Sequence, residues 1–248
     1  MNLILIPSRP PLGELVVLTG SRASHAVSVL RVAPGQSVRV GIEDGPVGTG
    51  TVVDVMDTTV TLACTFEEHV PTRPPVDLLL ALPRPKVMKR LWAQLAALGV
   101  GRVILTNAER VERPYFDTHV LDPAVYRPLL LEGLQQARDT RVPVVSVHRQ
   151  FRVLIEDELD AMPGDASRVV ADPGGHPPLG VVLGTGTGRR VLLAVGPEGG
   201  WNDFERALLR AHGFVPASMG GRTLRTDTAC VALLALAHAA LDTTPGPQ

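Results

Sequence analysis

The run Arg190–Val195 (RVLLAV) breaks directly into Gly196-Pro197-Glu198-Gly199-Gly200 and then into a segment with helical spacing. No other feature constrains the fold as tightly. A short apolar run without alternation reads as a strand buried on both faces, and such strands belong to parallel sheets covered by helices. Where a strand hands over to a helix through glycines, free backbone N–H groups face a cleft. The same handover recurs where FVPASMG leads into Met219–Ala229 (MGGRTLRTDTA). Two such turns close in sequence imply one ligand held mainly by backbone.

The surrounding chain supports this reading. From Val76 onward, strand and helix patterns alternate. VDLLLAL, RVILT (102–106), VPVVSV, RVVAD, RVLLAV and FVPASMG read as strands. Lys86–Leu98, Asp122–Arg138, Phe151–Ala161, Trp201–His212 and Asp227–Leu241 read as helices. In the first of these, Val87, Leu91, Leu95 and Leu98 share a face and Gly99 is the stop. Asp122 is placed to cap the second, with Pro123 in its first turn. The stretch between RVVAD and RVLLAV is Gly/Pro-rich and reads as irregular. Together these make a mostly parallel α/β sheet.

Residues 1–70 read differently. LILI, ELVVLTG, QSVRVGI, GTVVDVM and TTVTLACTF are short β runs separated by Gly, Pro or Asp. One helix interrupts them, with Ser21 as N-cap and Ala23, Ala26, Val27 and Leu30 on one face. This is the pattern of a small barrel, with Glu43–Gly50 as a hairpin loop. The polar, proline-rich Val70–Pro75 is the expected linker, so the domains are 1–70 and 76–248.

Composition excludes several classes. The chain is 45% hydrophobic and 20% charged, which fits a packed core and not disorder. No run has the length of a membrane span, and the start lacks a basic leader region. Cys64 and Cys230 lie far apart in apolar surroundings and read as reduced core thiols of a cytoplasmic protein. The net charge of −1 gives no overall preference for polyanions. Locally, however, Arg84, Lys86, Lys89, Arg90, Arg102, Arg110 and Arg113 face only Glu109 and Glu112 over thirty residues. That patch is either an RNA-binding surface or a solvated helix face. Arg9, Arg22 and Arg31 are further candidates for a nucleic-acid face, although residues 1–70 carry more acids than bases.

Familiar catalytic signatures are missing: no GxxxxGK[ST], CxxC, HExxH or GxSxG occurs. The seven histidines are scattered, so no metal site is expected. GTGTG (Gly184–Gly188) precedes a strand and reads as a loop. GPEGG lacks the spacing of a dinucleotide fingerprint. Glu198 either accepts a hydrogen bond from a ligand or caps the following helix. In the second turn Arg222 and Arg225 bracket Leu224, and Asp227-Thr228 open a helix, ACVALLALAHAAL, that is apolar almost all round. Such a helix is covered either by its own domain or by a second subunit.

LLAVGPEGGWNDFE followed by MGGRTLRTDTA resembles the paired C-terminal motifs of the RsmE-like small-subunit rRNA uridine methyltransferases, of the SPOUT superfamily. KVMKRLWAQLAALGVGRVILTNAERV, QQARDTRVP and VLRVAPGQSVRV extend the resemblance over most of the chain. It departs at Asp227, where the family has Glu; at Gln135-Gln136, where it has Glu-Gln; and at Arg138-Asp139, where it has Gly-Arg. The resemblance implies a PUA-like barrel followed by a SPOUT domain with a C-terminal trefoil knot. It implies S-adenosylmethionine held by Ala171 and Asp172, by Val195, Gly196, Pro197, Glu198 and Gly199, and by Met219, Gly220 and Leu224. Arg225, Asp227 and Thr228 would carry the chemistry, methylation of uracil N3 in 16S rRNA of the 30S subunit. Arg9, Arg22, Arg31, Arg84, Lys86, Lys89 and Arg90 would hold the RNA. The last helix would form a homodimer interface. No metal and no membrane enters this picture.

Overall fold

A computed structural model describes residues 3–11, 13–56, 58–161, 166–184 and 190–242. The chain forms two compact units. One comprises Met1–Arg73 with Leu131–Val142, the other Pro74–Leu130 with Pro143–Gln248.

The first unit holds β1 (Ile4–Ile6), β2 (Val16–Thr19), α1 (Gly20–Ser28), β3 (Ser37–Ile42), β4 (Val47–Met56) and β5 (Thr59–Phe66). Its sheet runs β1-β3-β4-β5-β2, parallel between β1 and β3 and antiparallel elsewhere. Side chains alternate across a pleated strand. Val38, Val40, Val52, Val60 and Leu62 therefore point inward, onto Ala23 and Ala26 of α1. Three local expectations change. The α1 helix begins at Gly20 with Thr19 in the N-cap position, so Ser21 lies inside the first turn and is not the cap. Val27 faces solvent and is no part of the helix's inner face. The hairpin loop is shorter than Glu43–Gly50, because the strand resumes at Val47.

Leu131–Val142 joins this unit through backbone. The Leu3 N–H donates to Gln135 O and the Asp44 N–H to Thr140 O. The buried Thr140 hydroxyl donates to Gly45 O at 2.6 Å. Arg73 and Arg141 both reach Asp44.

The second unit contributes β6 (Val76–Ala81), α2 (Pro85–Ala97), β7 (Val100–Thr106), β8 (Val144–His148), β9 (Ser167–Ala171), α5 (Leu179–Gly184), β10 (Val191–Val195), α6 (Asp203–Ala211), β11 (Val215–Ala217) and α7 (Thr226–Asp242). Between them, α3 (Pro123–Ala137) starts here and ends in the first unit, and α4 (Phe151–Val153) continues through π and 3-10 turns to Ala161. The six strands are all parallel in the order β11-β9-β10-β6-β7-β8. β6 and β10 occupy the middle and are buried at every residue. Each buried leucine there is worth roughly 1.5–3 kcal/mol. On α2 the buried face is Met88, Leu91, Trp92, Leu95 and Ala96, while Val87 and Leu98 are only half-buried.

The stretch expected to be irregular contains α5, which buries Leu179 and Leu183. After β11 the chain returns to pack α7 on α5, β10 and β6. The GTGTG loop and the polar tail after Asp242 lie outside the described residues, apart from Gly184 at the end of α5.

Candidate functional site

β9, β10 and β11 are neighbours in one parallel sheet, so their C-terminal ends share an edge. Ligands of open α/β sheets sit outside that edge. Here the chain segments leaving the three strands enclose a cavity of about 340 Å3. Ala171–Pro173 follows β9, Val195–Trp201 follows β10, and Met219, Gly220 and Arg222–Leu224 follow β11. Thr226, Ala229 and Leu233 of α7 close it.

The loops are fixed from outside the cavity. The Asp172 N–H donates to Ala217 O, prolonging the β9–β11 ladder, and the Asp172 carboxylate accepts from the Gly174 N–H. The Ser218 hydroxyl donates to His176 O. Gly200 (φ 72°) and Gly220 (φ 113°) take left-handed backbone that glycine favours. Gly199 has a different reason: a Cβ there would lie 2.8 Å from Cδ of Arg110, whose guanidinium donates to Gly199 O and Gly200 O. The α6 helix starts with a capping box between Asn202 and Glu205. Buried Glu205 also accepts the Glu109 N–H at 2.7 Å, tying the loop that carries Arg110 to the helix behind GPEGG.

Charge is arranged around the same loops. Arg84 lies 3.7 Å from Glu198, and Arg90 lies 3.0 Å from Asp227. Burial disfavours the Asp227 carboxylate, but the Thr228 N–H and Arg90 donate to it and hold its pKa below the usual carboxylate value. Arg225 opens α7, its carbonyl accepting the Ala229 N–H; its side chain is exposed and has no ion-pair partner among the described residues. Cys230, directly beneath, is pushed up to about 12 by burial and by the nearby Asp227 charge, so its thiol stays protonated.

A profile of the RNA methyltransferase domain matches residues 71–238, most of the chain. The chain belongs to the RNA methyltransferase family. Among relatives, the ribosomal RNA small subunit methyltransferase E of Treponema pallidum is 29% identical over 96% of this chain and 92% of its own length. That of Synechocystis is 28% identical, over 92% of this chain and 74% of its own. The crystal structure of the enzyme of that name from Neisseria gonorrhoeae, bound to S-adenosyl methionine, superposes with a TM-score of 0.78 at 22% identity, covering 98% of this chain and 100% of that one. The fold is therefore a PUA-like domain with a SPOUT methyltransferase domain.

Within this methyltransferase fold, every residue expected to hold the cofactor lines the cavity: Ala171, Asp172, Val195 to Gly199, Met219, Gly220 and Leu224. The three residues expected to carry the chemistry do not line it; Arg225, Asp227 and Thr228 sit where α7 begins. Of the expected RNA contacts, Arg84 and Arg90 pair with Glu198 and Asp227, and Lys86 and Lys89 are exposed on α2. Arg9, Arg22 and Arg31 belong to the first unit, where Arg9 stands over the Phe66 ring and Arg22 donates to Leu5 O. Glu198 is not the helix cap, a place Asn202 takes. Sequence reasoning missed the clamp by Arg110, although that residue falls in the basic patch. It also missed Trp201, which directly follows GPEGG. Among the described residues no three His, Cys, Asp or Glu side chains cluster as a metal site, and no helix is long and apolar enough to cross a membrane.

Proposed function

We propose that this protein methylates N3 of a uridine in 16S rRNA of the small ribosomal subunit, using S-adenosylmethionine. The observation that carries this reading is the convergence of three loops, up to fifty residues apart, on one cavity walled by backbone and apolar side chains. The residues fit the cofactor. Val195, Ala217 and Leu233 offer apolar walls for a nucleoside, and Asp172 offers a carboxylate opposite a cationic group. Bound there, S-adenosylmethionine supplies an electrophilic methyl group on a sulfonium.

The chain's own residues have the remaining work. A uracil attacks through N3 only after releasing its weakly acidic proton to solvent, so negative charge builds on its oxygens. Arg225, exposed at the α7 start and free of ion pairs among the described residues, stabilises that charge. Asp227 is held ionised by Arg90 and the Thr228 N–H, which suits it to accept a hydrogen bond and orient the base more than to take up a proton. The Thr228 hydroxyl, exposed beside it, is the further polar contact to the base. The target base must be out of its stack to reach such a site. Lys86 and Lys89, with Arg84 and Arg90, supply positive charge for the RNA backbone beside the cavity, and Arg9, Arg22 and Arg31 do so in the first unit.

On α7, Val231, Ala235 and Leu236 remain exposed in the single chain. An uncovered apolar stripe on a helix whose opposite face is buried supports a homodimer through α7.

Methyl transfer to 30S particles by the Arg225→Ala variant tests the chemistry. A fall of about 10²–10³-fold in kcat is expected, the scale for losing one charge-stabilising donor, with S-adenosylmethionine affinity unchanged. Undiminished turnover would remove Arg225 from the reaction.

A further inference from the structure

The chain has two tryptophans, both buried, and their indole N–H groups are treated differently. Trp92 donates to Val120 O at 3.1 Å. The Trp201 N–H, buried in a side chain that is 3% exposed, has no acceptor among the described residues. Buried donors are almost always paired, because burial strips their water. An aromatic that served only as core filling would gain nothing from such a donor, since burying it unpaired is costly.

Three observations connect this N–H with the cavity. Trp201 lines the cavity. The indole edge carrying Nε1 lies against Gly196, another wall residue: a Cβ built on Gly196 would sit 3.0 Å from Nε1. The ring is also held in place, with Phe151 packed on it at 5.3 Å between centroids and the Trp201 carbonyl accepting from Arg206. The ring is therefore held before any ligand arrives, and because Nε1 has almost no accessible surface, an acceptor reaches it only as the adjoining Gly196 turn gives way on binding.

We propose that Trp201 is a ligand-binding residue of the cavity, donating its indole N–H to a neutral acceptor, a ring nitrogen or ribose oxygen, on the adenosine half of the bound cofactor. This rests on the reading that the cavity takes S-adenosylmethionine. The acceptor is neutral because the groups that lie against the indole, Gly196 and Phe151, carry no charge. Val195, Ala217 and Leu233 are apolar, and the neighbouring cation, Arg206, is engaged by Trp201 O and Asp203. A carboxylate buried there would lack a counter-charge.

The test combines calorimetry with indole 1H–15N spectra. Wild type and Trp201→Phe are titrated with S-adenosylmethionine, S-adenosylhomocysteine and 5′-methylthioadenosine, the last lacking the amino-acid half. The variant is expected to bind all three about 5–10-fold more weakly, the scale of one neutral hydrogen bond, with melting lowered by a few degrees for the smaller ring. In wild type, adding S-adenosylhomocysteine should move the Trp201 indole proton downfield while that of Trp92 stays in place. The shift itself is read on wild type, and either Trp92→Phe or Trp201→Phe, whichever folds, assigns the two signals. Equal affinities, or an unmoved Trp201 signal in protein that binds ligand, would overturn the proposal. Weakening confined to the two ligands that carry the amino-acid half would overturn the adenosine assignment. Failure of wild type to bind any of the three would instead sink the cofactor reading, and the proposal with it.

Discussion

At the residue scale, local chemistry and distant partners separate cleanly. The cysteines are legible: both sit in apolar runs, and burial raises both thiols, Cys230 to about 12. The Arg90–Asp227 pair is not legible, because its members stand 137 positions apart and neither carries a local signal. Its sign with pH follows from the depressed Asp227 pKa. The pair's contribution is complete above the ordinary carboxylate value near 4 and is lost as pH falls through the lower folded value. This pair therefore contributes no change in stability near pH 6. Arg138 is legible only in hindsight. It takes φ 62° at the end of α3, where the Asp139 N–H returns to Leu134 O. At the end of α6 the same turn is made by Gly213, φ 81°, with the Phe214 N–H returning to Leu209 O. A left-handed arginine costs about 1 kcal/mol relative to glycine. Arg138→Gly should raise the melting temperature by a few degrees; an equal or lower value would contradict this.

At the scale of elements, periodicity does most of the work. The strands of both sheets and most helices stand where apolar spacing and glycine stops put them. α5 was hidden because its short turn follows Pro177-Pro178 and two flanking stretches rich in glycine. The two glycine turns are legible as loops, but the separate duties of their glycines are not. Gly200 and Gly220 are needed for backbone angle, Gly199 for the approach of Arg110, and Gly221 meets nothing within 4 Å. Gly199→Ala would place a methyl 2.8 Å from Arg110 Cδ and push the clamp away. Because the loop is exposed, the expected outcome is little change in melting and S-adenosylmethionine binding weaker by about tenfold, on the order of 1.4 kcal/mol. Unaltered affinity by calorimetry would show that the clamp does not shape the cavity.

At the scale of the molecule, alternation of strand and helix after Val76 was enough to announce a parallel sheet. Membership of Leu131–Val142 in the first unit was not announced, because that segment continues a helix whose start belongs to the second. Local pattern cannot report which unit a continuous helix serves at each end. The apolar α7 was legible as a helix needing cover on all sides, and the single chain covers only the face of Ala229, Cys230, Leu233, Leu234 and Ala237. Leu236→Glu would set a charge on the remaining face. Sedimentation is expected to give a dimer for wild type and a folded monomer for the variant, with methyl transfer lost. A monomeric wild type of full activity would refute the dimer.

The central claim joins one cavity, one cofactor and one reacting atom. It is tested most directly by incubating the protein with isotopically labelled S-adenosylmethionine and 30S particles, then digesting the 16S rRNA for nucleoside mass spectrometry. The account predicts one labelled nucleoside, N3-methyluridine, in near one-to-one yield. Label on a ribose, on a base other than uracil, or absent from the rRNA would contradict it.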